Sequence, residues 1–581
     1  MAFQVSPGVN VSEIDLTTAI PAVSVSTGAI AGAFNWGPAL TPIVVSSEVD
    51  LVNQFGKPDA NTYGSFFTAA NFLSYSNDLR VVRLQANAAN CATASGTGVA
   101  IVNEDDYFNN HYASPTSAAG AWAARYIGAK GNALEVLVWN NTNWSANTSS
   151  TSDPLYQFAT LFDFAPATSP YVQNTTGKTG VNDEIHVMVV DKTGAISGTA
   201  NTVLEKYQSL SVLSDAKSPD GSSNYYKEVL YRNSKWIHWT GHPTAATTGW
   251  GNTVAYIVSG GTVGADVAAN VASLSGGSDG NAIKTGNTTD AINVFSSSET
   301  VDISLVMLGD AAGNNTVLGY GTVANAVLQL ADTRKDCVAF VSPPLANVQL
   351  TSGVETSVAN FAAATYTTSY GVMDSGWKYQ YDKYNDVYRW IPLNGDIAGL
   401  CANTDNVRDP WWSPAGLQRG MIKNVVKLAF NPSKTQRDVL YKAGVNPVVA
   451  FPGEGVLLYG DKTLLNRPSA FDRINVRRLF IVLEKAIARA ARSSLFEFND
   501  TFTRAQFVNL VAPFLRNVQS RRGIYDFKVV CDTTNNTPTV IDANQFVGDI
   551  YIKPARSINY IQLNFVAVRT GVSFNEVVGK F

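Results

Sequence analysis

The sequence predicts a multidomain α+β protein, with an α/β core domain, mostly β inserted domains, a C-terminal α+β domain and an extended arm at each end. Its 581 residues, of which 45% are apolar, allow about four domains of roughly 150 residues, each with its own core. Alternating strand-like and helix-like segments occur both before and after a long polar middle region. Because the same pattern resumes after this interruption, the middle is predicted to be inserted into one α/β domain.

The first segment, residues 1–20, is predicted to be an extended arm. It starts with Pro7-Gly8 and continues with Val9 and Val11, which are separated by small or polar residues. The segment has too few apolar side chains for a core of its own, so a stable arm needs another surface. Fully extended, 20 residues span roughly 65–70 Å at about 3.3–3.6 Å per residue, which is enough to reach another subunit.

Residues 21–87 and 285–430 are predicted to form the two halves of the α/β domain. The first half has a strand-like TGAIAGAF, helices at 46–56 and around YGSFFTAANFLSY, and the strand LRVVRLQA. The second half has the buried strand VDISLVML, a helix in GTVANAVLQLADTRKD and a strand in CVAFVSPP. Such alternation is typical of an α/β layer, so the two halves are expected to pack together.

Residues 88–284 differ from both halves in composition. They are rich in Ser, Thr, Asn, Gly and Ala, with scattered Trp and Tyr. This composition favours inserted, mostly β surface domains with long loops.

Residues 431–565 are predicted to form the C-terminal domain, and residues 566–581 a second arm. The domain contains FPGEGVLLYGDKTL (451–464), two helices and the strands YDFKVVCD, DIYIKP and INYIQLNFVAV. In the last residues apolar side chains alternate with others, and Val572 and Phe574 are part of that pattern. This alternation indicates another short extended strand.

Two glycine-rich stretches resemble phosphate-binding loops, but neither has the required residues. In FPGEGVLLYGDKTL the carboxylate of Glu454 would repel a phosphate, and Lys462 comes too late after the glycines. GKT at 177–179 has Val172 where the leading glycine belongs. The first stretch therefore predicts a turn that leads into a buried strand, and ATP-driven action is not expected.

No catalytic or metal-binding constellation is found in the sequence. GGSDG at 276–280 fits a nucleophile elbow around Ser278, but all four histidines precede this serine, against the expected order. His238 and His242 have helical spacing, but HWTGH lacks the glutamate of a zinc motif and contains a glycine. We therefore predict a glycine-rich turn, histidines in loops or strands, no cofactor, no metal and no enzymatic activity.

The overall composition excludes several other classes of protein. The net charge of -4 gives no general attraction to nucleic acid or to an anionic membrane. The four cysteines lie far apart, which indicates neither a disulfide framework nor a zinc cluster and fits assembly in a reducing cytosol. The N-terminus does not resemble a secretion signal, and no apolar run is long enough to span a bilayer.

One helix combines an apolar face with a basic one. In FDRINVRRLFIVLEKAIARAARSS (471–494), the helical period places apolar residues such as Val476 and Leu483 on one face. The opposite face is predicted to carry four basic residues: Arg478, Lys485, Arg489 and Arg492. Such a face is usually solvated, but only Glu484 offers a nearby opposite charge, so an acidic partner surface remains a hypothesis. Nucleic acid is a weaker one, because interleaved aromatic residues are missing.

Several segments resemble the contractile, myovirus-type phage tail sheath protein family. AGVNPVVAFPGEGVLLYGDKTL, FDRINVRRLFIVLEKAI and IYIKPARSINYIQLNFVAVRTGV look like the C-terminal domain of these sheaths. PGVNVSE, ARYIGAKGNALEV and the segment from 378 to 416 resemble other sheath segments in the same order. The resemblance covers roughly residues 1–90 and 285–581, while the middle region matches only weakly.

The resemblance implies a structural subunit of the virion, assembled in the host cytoplasm. Many copies would form a helical homopolymer around an inner tail tube, and contraction would drive the tube through the host cell envelope. The implied partners are further copies, the tube protein, and baseplate and tail terminator proteins, without direct nucleic-acid contact or membrane insertion. In this family the C-terminal domain lines the tube, the inserted domains face outward, and the arms add strands to neighbouring subunits. The last point suggests that Val9, Val11, Val572 and Phe574 insert into neighbours.

Three alternatives remain open at this stage. The sheath of a bacterial contractile injection system uses similar subunits. A secreted hydrolase or glycan-binding protein is suggested by the polar middle region with its Trp and Tyr residues. An inner tube protein is disfavoured, because such a subunit is usually one small β domain.

Overall fold

A computed structural model describes residues 25–114, 116, 118–243, 248–263, 271–311 and 317–559. The predicted arms, with Val9, Val11, Val572 and Phe574, lie outside the described residues. The described chain divides into two compact units. The larger unit contains residues 25–410 and 414–485, and the smaller unit contains 411–413 and 486–559.

The first segment of the larger unit supplies three strands and two helices. Its elements are β1 (Gly28–Gly32), β2 (Pro42–Val45), α1 (Glu48–Phe55), α2 (Tyr63–Leu73) and β3 (Leu79–Arg83). Helix α1 begins after Ser47, whose side chain accepts a hydrogen bond from the Asp50 amide, and it ends at Gly56, which has a φ of 78°. The predicted helix at 46–56 is therefore confirmed.

Residues 85–283 combine short helices with antiparallel strands, so the prediction of mostly β inserted domains is wrong and the region is mixed α and β. Their elements are α3 (Glu104–Tyr107), β4 (Trp122–Ala124), β5 (Leu134–Trp139), α4 (Asn141–Thr148), α5 (Tyr156–Ala159), α6 (Pro170–Thr176), β6 (Glu184–Asp191), β7 (Thr202–Ser211), α7 (Tyr226–Asn233), β8 (Ile237–Trp239), α8 (Val254–Val258) and β9 (Val271–Ser273). A four-stranded sheet has the order β7-β6-β5-β9, and β4 pairs with β8. The core of this region is aromatic, with Trp122, Trp139, Tyr107 and Tyr226 fully buried.

The chain then returns to alternating helices and strands. These elements are α9 (Thr285–Asn293), β10 (Leu305–Met307), α10 (Val317–Arg334), β11 (Val338–Val341), α11 (Leu345–Val348), α12 (Val354–Ala364), β12 (Gly371–Asp374), β13 (Trp377–Asp382), β14 (Val387–Pro392), α13 (Asn394–Val407), β15 (Lys427–Leu428), α14 (Lys434–Lys442), β16 (Val445–Asn446), β17 (Val448–Phe451), β18 (Gly455–Leu458) and α15 (Ile474–Ala491).

A seven-stranded sheet organises the larger unit, with strand order β16-β12-β11-β10-β1-β3-β2. All neighbouring strands are parallel except β2, which runs antiparallel to β3 at one edge. The sheet thus joins strands from both sides of the 85–283 region. Strands β1, β10, β11 and β12 are buried along their whole length, which explains their continuous apolar runs.

Helices α2 and α13 pack against each other at an unusually short distance. A Cβ atom at Gly395 would lie 2.5 Å from the Thr68 carbonyl oxygen, and one at Gly399 would lie 2.5 Å from the Tyr75 ring. Only glycine permits this approach, because any side chain would overlap its neighbour. The pair covers the middle of the sheet, where α2 contacts β1 and α13 contacts β10, β11 and β12.

A buried arginine ties the sheet to the 85–283 region. The Arg83 guanidinium donates to the carbonyl oxygens of Phe34 (2.8 Å), Gly37 (2.8 Å) and Ile127 (2.9 Å). Burial lowers the pKa of Arg83 to about 10. Trp36 packs beside this site against Tyr126, with ring centroids 5.2 Å apart. Satisfying all three donor nitrogens makes the buried charge tolerable and fixes the junction.

The smaller unit contains a long helix and a two-stranded sheet. Its elements are α16 (Thr501–Ser520), β19 (Ile524–Val530), α17 (Pro538–Asp542) and β20 (Asp549–Pro554). Helix α16 begins at Asp500, whose carboxylate accepts from the Thr503 amide at 2.8 Å. Its buried face includes Phe507, Val511 and Leu515.

Residues 431–464 lie in the larger unit, which differs from their predicted place in a separate C-terminal domain. Strand β16 extends the parallel sheet by pairing with β12, and Val448 and Leu458 belong to its hydrophobic core. FPGEGVLLYGDKTL forms the turn and the second strand of the β17–β18 hairpin, as predicted. Gly453 and Gly455 both have positive φ, at 81° and 87°.

Candidate assembly surfaces

Helix α15 has its predicted apolar face, but its basic residues do not share one surface. Val476 and Leu483 are buried, as the helical period predicts. The first two turns of the helix are enclosed on most sides, because Ile474 to Leu479 are all buried. The four basic residues therefore have different environments.

Arg478 is an internal ion-pair partner, and its predicted place on an exposed basic face is wrong. Its side chain is 3% exposed, and Nη2 lies 2.6 Å from Oδ2 of Asp405 in α13. Nη1 also donates to the Cys401 carbonyl oxygen at 3.2 Å. The acid that neutralises Arg478 is 73 residues away in sequence, so the local pattern of charges did not reveal it.

Lys485 is also bound within the chain. Its Nζ lies 2.9 Å from Oδ1 of Asp302, 2.8 Å from the Ile303 carbonyl oxygen and 3.0 Å from the Ser304 hydroxyl. The ammonium group thus anchors α15 to the residues just before β10. Neither Lys485 nor Arg478 is available as an exposed cation for a partner.

Arg489 and Arg492 are exposed at the C-terminal end of the same helix. Arg489 lies in the last turn of α15, and Arg492 begins a short 3-10 turn that ends at Ser494. Cations are favourable there because the helix dipole is negative at its C-terminus. These two arginines are the part of the predicted basic helix that remains a candidate partner surface.

An exposed apolar loop follows directly. Residues 495–502, named the loop 495–502 although Thr501 and Phe502 already belong to α16, carry four exposed large apolar side chains: Leu495, Phe496, Phe498 and Phe502. Phe498 is 85% exposed, and Phe496 has a φ of 69°, which is uncommon for a residue other than glycine. A large exposed apolar cluster of this kind commonly marks a surface for contact with another protein.

The two-stranded sheet of the smaller unit has available edges. Strands β19 and β20 pair antiparallel with each other, and among the described residues neither pairs with a further strand. Tyr525 and Tyr551 are exposed on it. An isolated two-stranded sheet is marginal in water, and each edge presents unpaired backbone groups to an additional strand.

The serine and the histidines that resemble catalytic or metal-binding motifs contribute to the packing and hydrogen bonding of the fold. The glycine turn predicted around Ser278 is not found: Ser278 forms an isolated β-bridge with Asn90, and its hydroxyl accepts from the Gly280 amide. His238 lies in β8 and stacks on Tyr107 at 3.8 Å, and His242 contacts the Tyr226 hydroxyl at 2.6 Å in the following loop. The predicted strand or loop setting of both histidines is confirmed.

The described part of the chain contains neither a metal-binding cluster nor a membrane-spanning helix. No three metal-binding side chains come together there. No helix in it combines the length and apolarity that crossing a bilayer requires.

Three domain families match the chain. They are the phage tail sheath protein central domain over residues 282–464, the phage tail sheath C-terminal domain over 466–567, and the tail sheath protein Gp18 domain III N-terminal region over 26–84. The 85–281 region lies outside these matches.

Full-length relatives are tail sheath proteins. The chain is 36% identical to the tail sheath protein of Enterobacteria phage T4 and 34% identical to that of Vibrio phage KVP40, in each case over 99% of both chains. The tail sheath protein of Salmonella phage ViI is 32% identical over 99% of this chain and 98% of that one.

Solved structures show the same fold at low identity. A sheath tail protein from Desulfitobacterium hafniense superposes with a TM-score of 0.51 at 14% identity, covering 91% of this chain and 94% of that one. A sheath tail protein from Listeria innocua gives a TM-score of 0.51 at 12% identity, covering 92% and 96%.

Proposed function

The chain belongs to the family of contractile phage tail sheath proteins, and we propose that its arms and its smaller unit link the copies of one sheath into a lattice. It is a structural component of the virion and not an enzyme. The likeness to phage tail sheath proteins along the whole chain is the observation that carries this function.

The arms of one copy add strands to the smaller unit of its neighbours. Two observations support this: among the described residues β19 and β20 pair only with each other, and both predicted arms alternate apolar with other residues around Val9, Val11, Val572 and Phe574. Backbone hydrogen bonds then hold the copies together at about 1 kcal/mol net for each bond. Several such bonds for each arm keep the lattice connected while its domains rotate.

Within the proposed sheath, residues 88–284 lie on the outside and residues 431–565 lie towards the inner tube. Exposed aromatic residues such as Phe164 fit an outward role for the first region. The exposed apolar loop 495–502 and the two arginines before it fit contacts made by the second region inside the assembly.

Arg489 and Arg492 contact an acidic surface of the tube protein. Both are exposed at a helix end, whereas Arg478 is buried and Lys485 is half-buried. The other partners are further copies of this chain and the baseplate and tail terminator proteins at the two ends of the tail. Contraction uses extra contacts between copies, since the sequence has no phosphate-binding loop for a nucleotide-driven motor.

Electron microscopy of the purified chain tests this function. We expect hollow, striated tubes, and shorter and wider tubes after a contraction trigger such as mild denaturant. A chain that remains monomeric at every concentration, with and without tube protein, would exclude the sheath function.

A further inference from the structure

The β13–β14 hairpin of the larger unit carries a strip of aromatic side chains on its outer face. Tyr379 lies opposite Trp390, and Tyr381 lies opposite Tyr388. The ring centroids are 4.7 Å apart in the first pair and 5.3 Å in the second, and Tyr379 also stacks on Tyr388 at 5.5 Å. These four residues form the aromatic strip, of which Tyr381 and Tyr388 are exposed.

The inner face of the same hairpin is polar. Lys378, Gln380 and Asp382 alternate with the tyrosines of β13, and all three are buried. Nζ of Lys378 lies 2.9 Å from Oδ1 of Asp396 and 2.9 Å from the Lys423 carbonyl oxygen. Asp382 lies 3.5 Å from Nε of Arg389.

This arrangement reverses the usual pattern of a sheet with one solvated face, in which apolar side chains point inward and polar ones outward. Cross-strand aromatic pairs stabilise a hairpin to a modest extent. This stabilisation does not explain why the polar face of the hairpin is buried and the aromatic face is exposed. The reversal indicates that another surface covers the aromatic strip when the protein works.

The strip also carries a positive charge. Lys427 in β15 lies opposite Tyr379, with its Nζ 4.9 Å from the Tyr379 ring and 5.5 Å from the Trp390 ring. Among the described residues Lys427 forms no ion pair. At the other end of the strip, the Tyr381 hydroxyl donates to the exposed Asp386 carboxylate at 2.7 Å. A partner surface that matches the strip near Lys427 is therefore apolar and acidic.

The loop 495–502 of the smaller unit has this character. Its exposed Leu495, Phe496, Phe498 and Phe502 flank Glu497, and no ion pair is found for Glu497 among the described residues. The loop and the strip each carry exposed apolar side chains.

We propose that the aromatic strip of one copy binds the loop 495–502 of a neighbouring copy, with Lys427 paired to Glu497. The proposal rests on the proposed function, because it requires that copies polymerise. Two different surfaces of the same chain make a head-to-tail contact, which repeats without closing and produces a helical filament. Aromatic anchors in a desolvated centre supply most of the affinity of such a contact, and the charge pair at its rim selects the register.

Cross-linking between full-length copies tests the contact directly. One variant carries Tyr388→Cys and another carries Phe498→Cys, and the four native cysteines are buried, so they react little with a bis-maleimide. We expect polymers of the mixed variants to give covalent dimers, whereas polymers of either variant alone give none. Phe164→Cys, which is 53% exposed in the 85–283 region, is the matched control and should not link to Phe498→Cys.

Three results would overturn the proposal: tubes without dimers, dimers from Phe498→Cys alone, or Phe498→Cys linked only to added tube protein. The last result would assign the loop to the tube instead. Absence of tubes with the unsubstituted chain would count against the proposed function, so the two failures are distinguishable.

A charge exchange gives a second measurement that does not depend on cysteine substitution. Lys427→Glu or Glu497→Lys alone should raise the concentration needed for polymerisation by about fivefold, which is the upper range for an exposed pair. The double variant should return to within about twofold of the original value. A double variant at least as impaired as the two single changes combined would contradict the pairing.

Discussion

The two compact units of this protein differ in how completely they bury their apolar residues. In the larger unit the central strands β1, β10, β11 and β12 are buried from end to end, and helices pack on the sheet. In the smaller unit one long helix buries Phe507, Val511 and Leu515, while the aromatic residues of the preceding loop are exposed and the sheet has only two described strands. The core of the larger unit is thus buried within the chain, whereas we propose that the smaller unit buries its exposed apolar residues in the assembly. Changes in the core of the larger unit should affect stability, and changes in the arms, the smaller unit or the aromatic strip should affect polymerisation.

Deletion of residues 1–14 should have the largest effect. We expect a soluble, folded monomer that forms no tubes, because the strand that joins neighbouring copies is missing. Sedimentation velocity and electron microscopy measure the loss of polymers, and circular dichroism checks the fold. Tubes of normal length from the deletion would refute the arm proposal.

Two matched double variants test whether the N-terminal arm binds its neighbour as a β-strand. Val9→Asp with Val11→Asp should act like the deletion, whereas Asn10→Asp with Ser12→Asp adds the same charge on the opposite side of an extended segment. Equal loss of polymers in both would indicate a charge effect and not insertion of the valines.

Asp405→Ala should strongly destabilise the larger unit. The substitution leaves the buried Arg478 guanidinium without its carboxylate, and such a loss costs about 3–5 kcal/mol. The midpoint of urea unfolding measures the effect. Asp302→Ala is the control, because Asp302 is 51% exposed and its pair with Lys485 should contribute at most about 1 kcal/mol. Similar midpoints for both variants would contradict the difference in burial.

A buried carboxyl at the end of β12 should make the larger unit less stable at high pH. Burial raises the pKa of Asp374 to about 8, although its oxygens accept from the Ser342 hydroxyl at 2.7 Å and the Gly376 amide at 2.8 Å. Because the folded state holds this proton more tightly than the unfolded chain does, its contribution is complete below about pH 4 and is lost as the pH rises towards 8.

Asp374→Asn removes the titrating group and tests this linkage. Thermal unfolding between pH 5 and 9 should show a smaller loss of stability for the variant, by a few kcal/mol at most. The relevant quantity is the slope of the unfolding free energy against pH, because the substituted side-chain amide also alters the hydrogen bond with Ser342 and so changes stability at every pH. An unchanged slope would assign the pH dependence to other groups.

Arg489→Glu with Arg492→Glu should have the smallest effect. Sheaths should still form, but they should retain the tube less well, because each exposed charge contributes on the order of 1 kcal/mol or less. Co-purification with tube protein at moderate salt measures this, and the effect should decrease with salt, since screening acts within about 8–10 Å. Equal retention of the tube would exclude these residues as tube contacts.

The sequence predicted helices and strands well where the pattern is local. The helix at 46–56, the FPGEGVLLYGDKTL turn and the apolar face of α15 all follow from spacing between near neighbours. The assignment of elements to domains could not be predicted in the same way. Residues 431–464 belong to the larger unit because β16 pairs with β12. A strand of two residues is too short to produce a periodic pattern in the sequence.

The candidate surfaces show the same limit. Arg478 and Arg489 are equivalent on a helical wheel, but only the structure places Asp405 beside the first of them. The aromatic strip was not found from sequence, although the alternation in WKYQYD was visible. That alternation does not show which side of the strand is buried.

By itself the sequence determined the family, the absence of known catalytic motifs, and the position of several helices and strands outside residues 88–284, because these depend on residue identity and short spacing. The tertiary structure alone decided which charges are neutralised, which face of the β13–β14 hairpin is inside, and which aromatic residues remain exposed. Those properties arise between residues that are tens to hundreds of positions apart, and free energies of burial and ion pairing depend on that proximity.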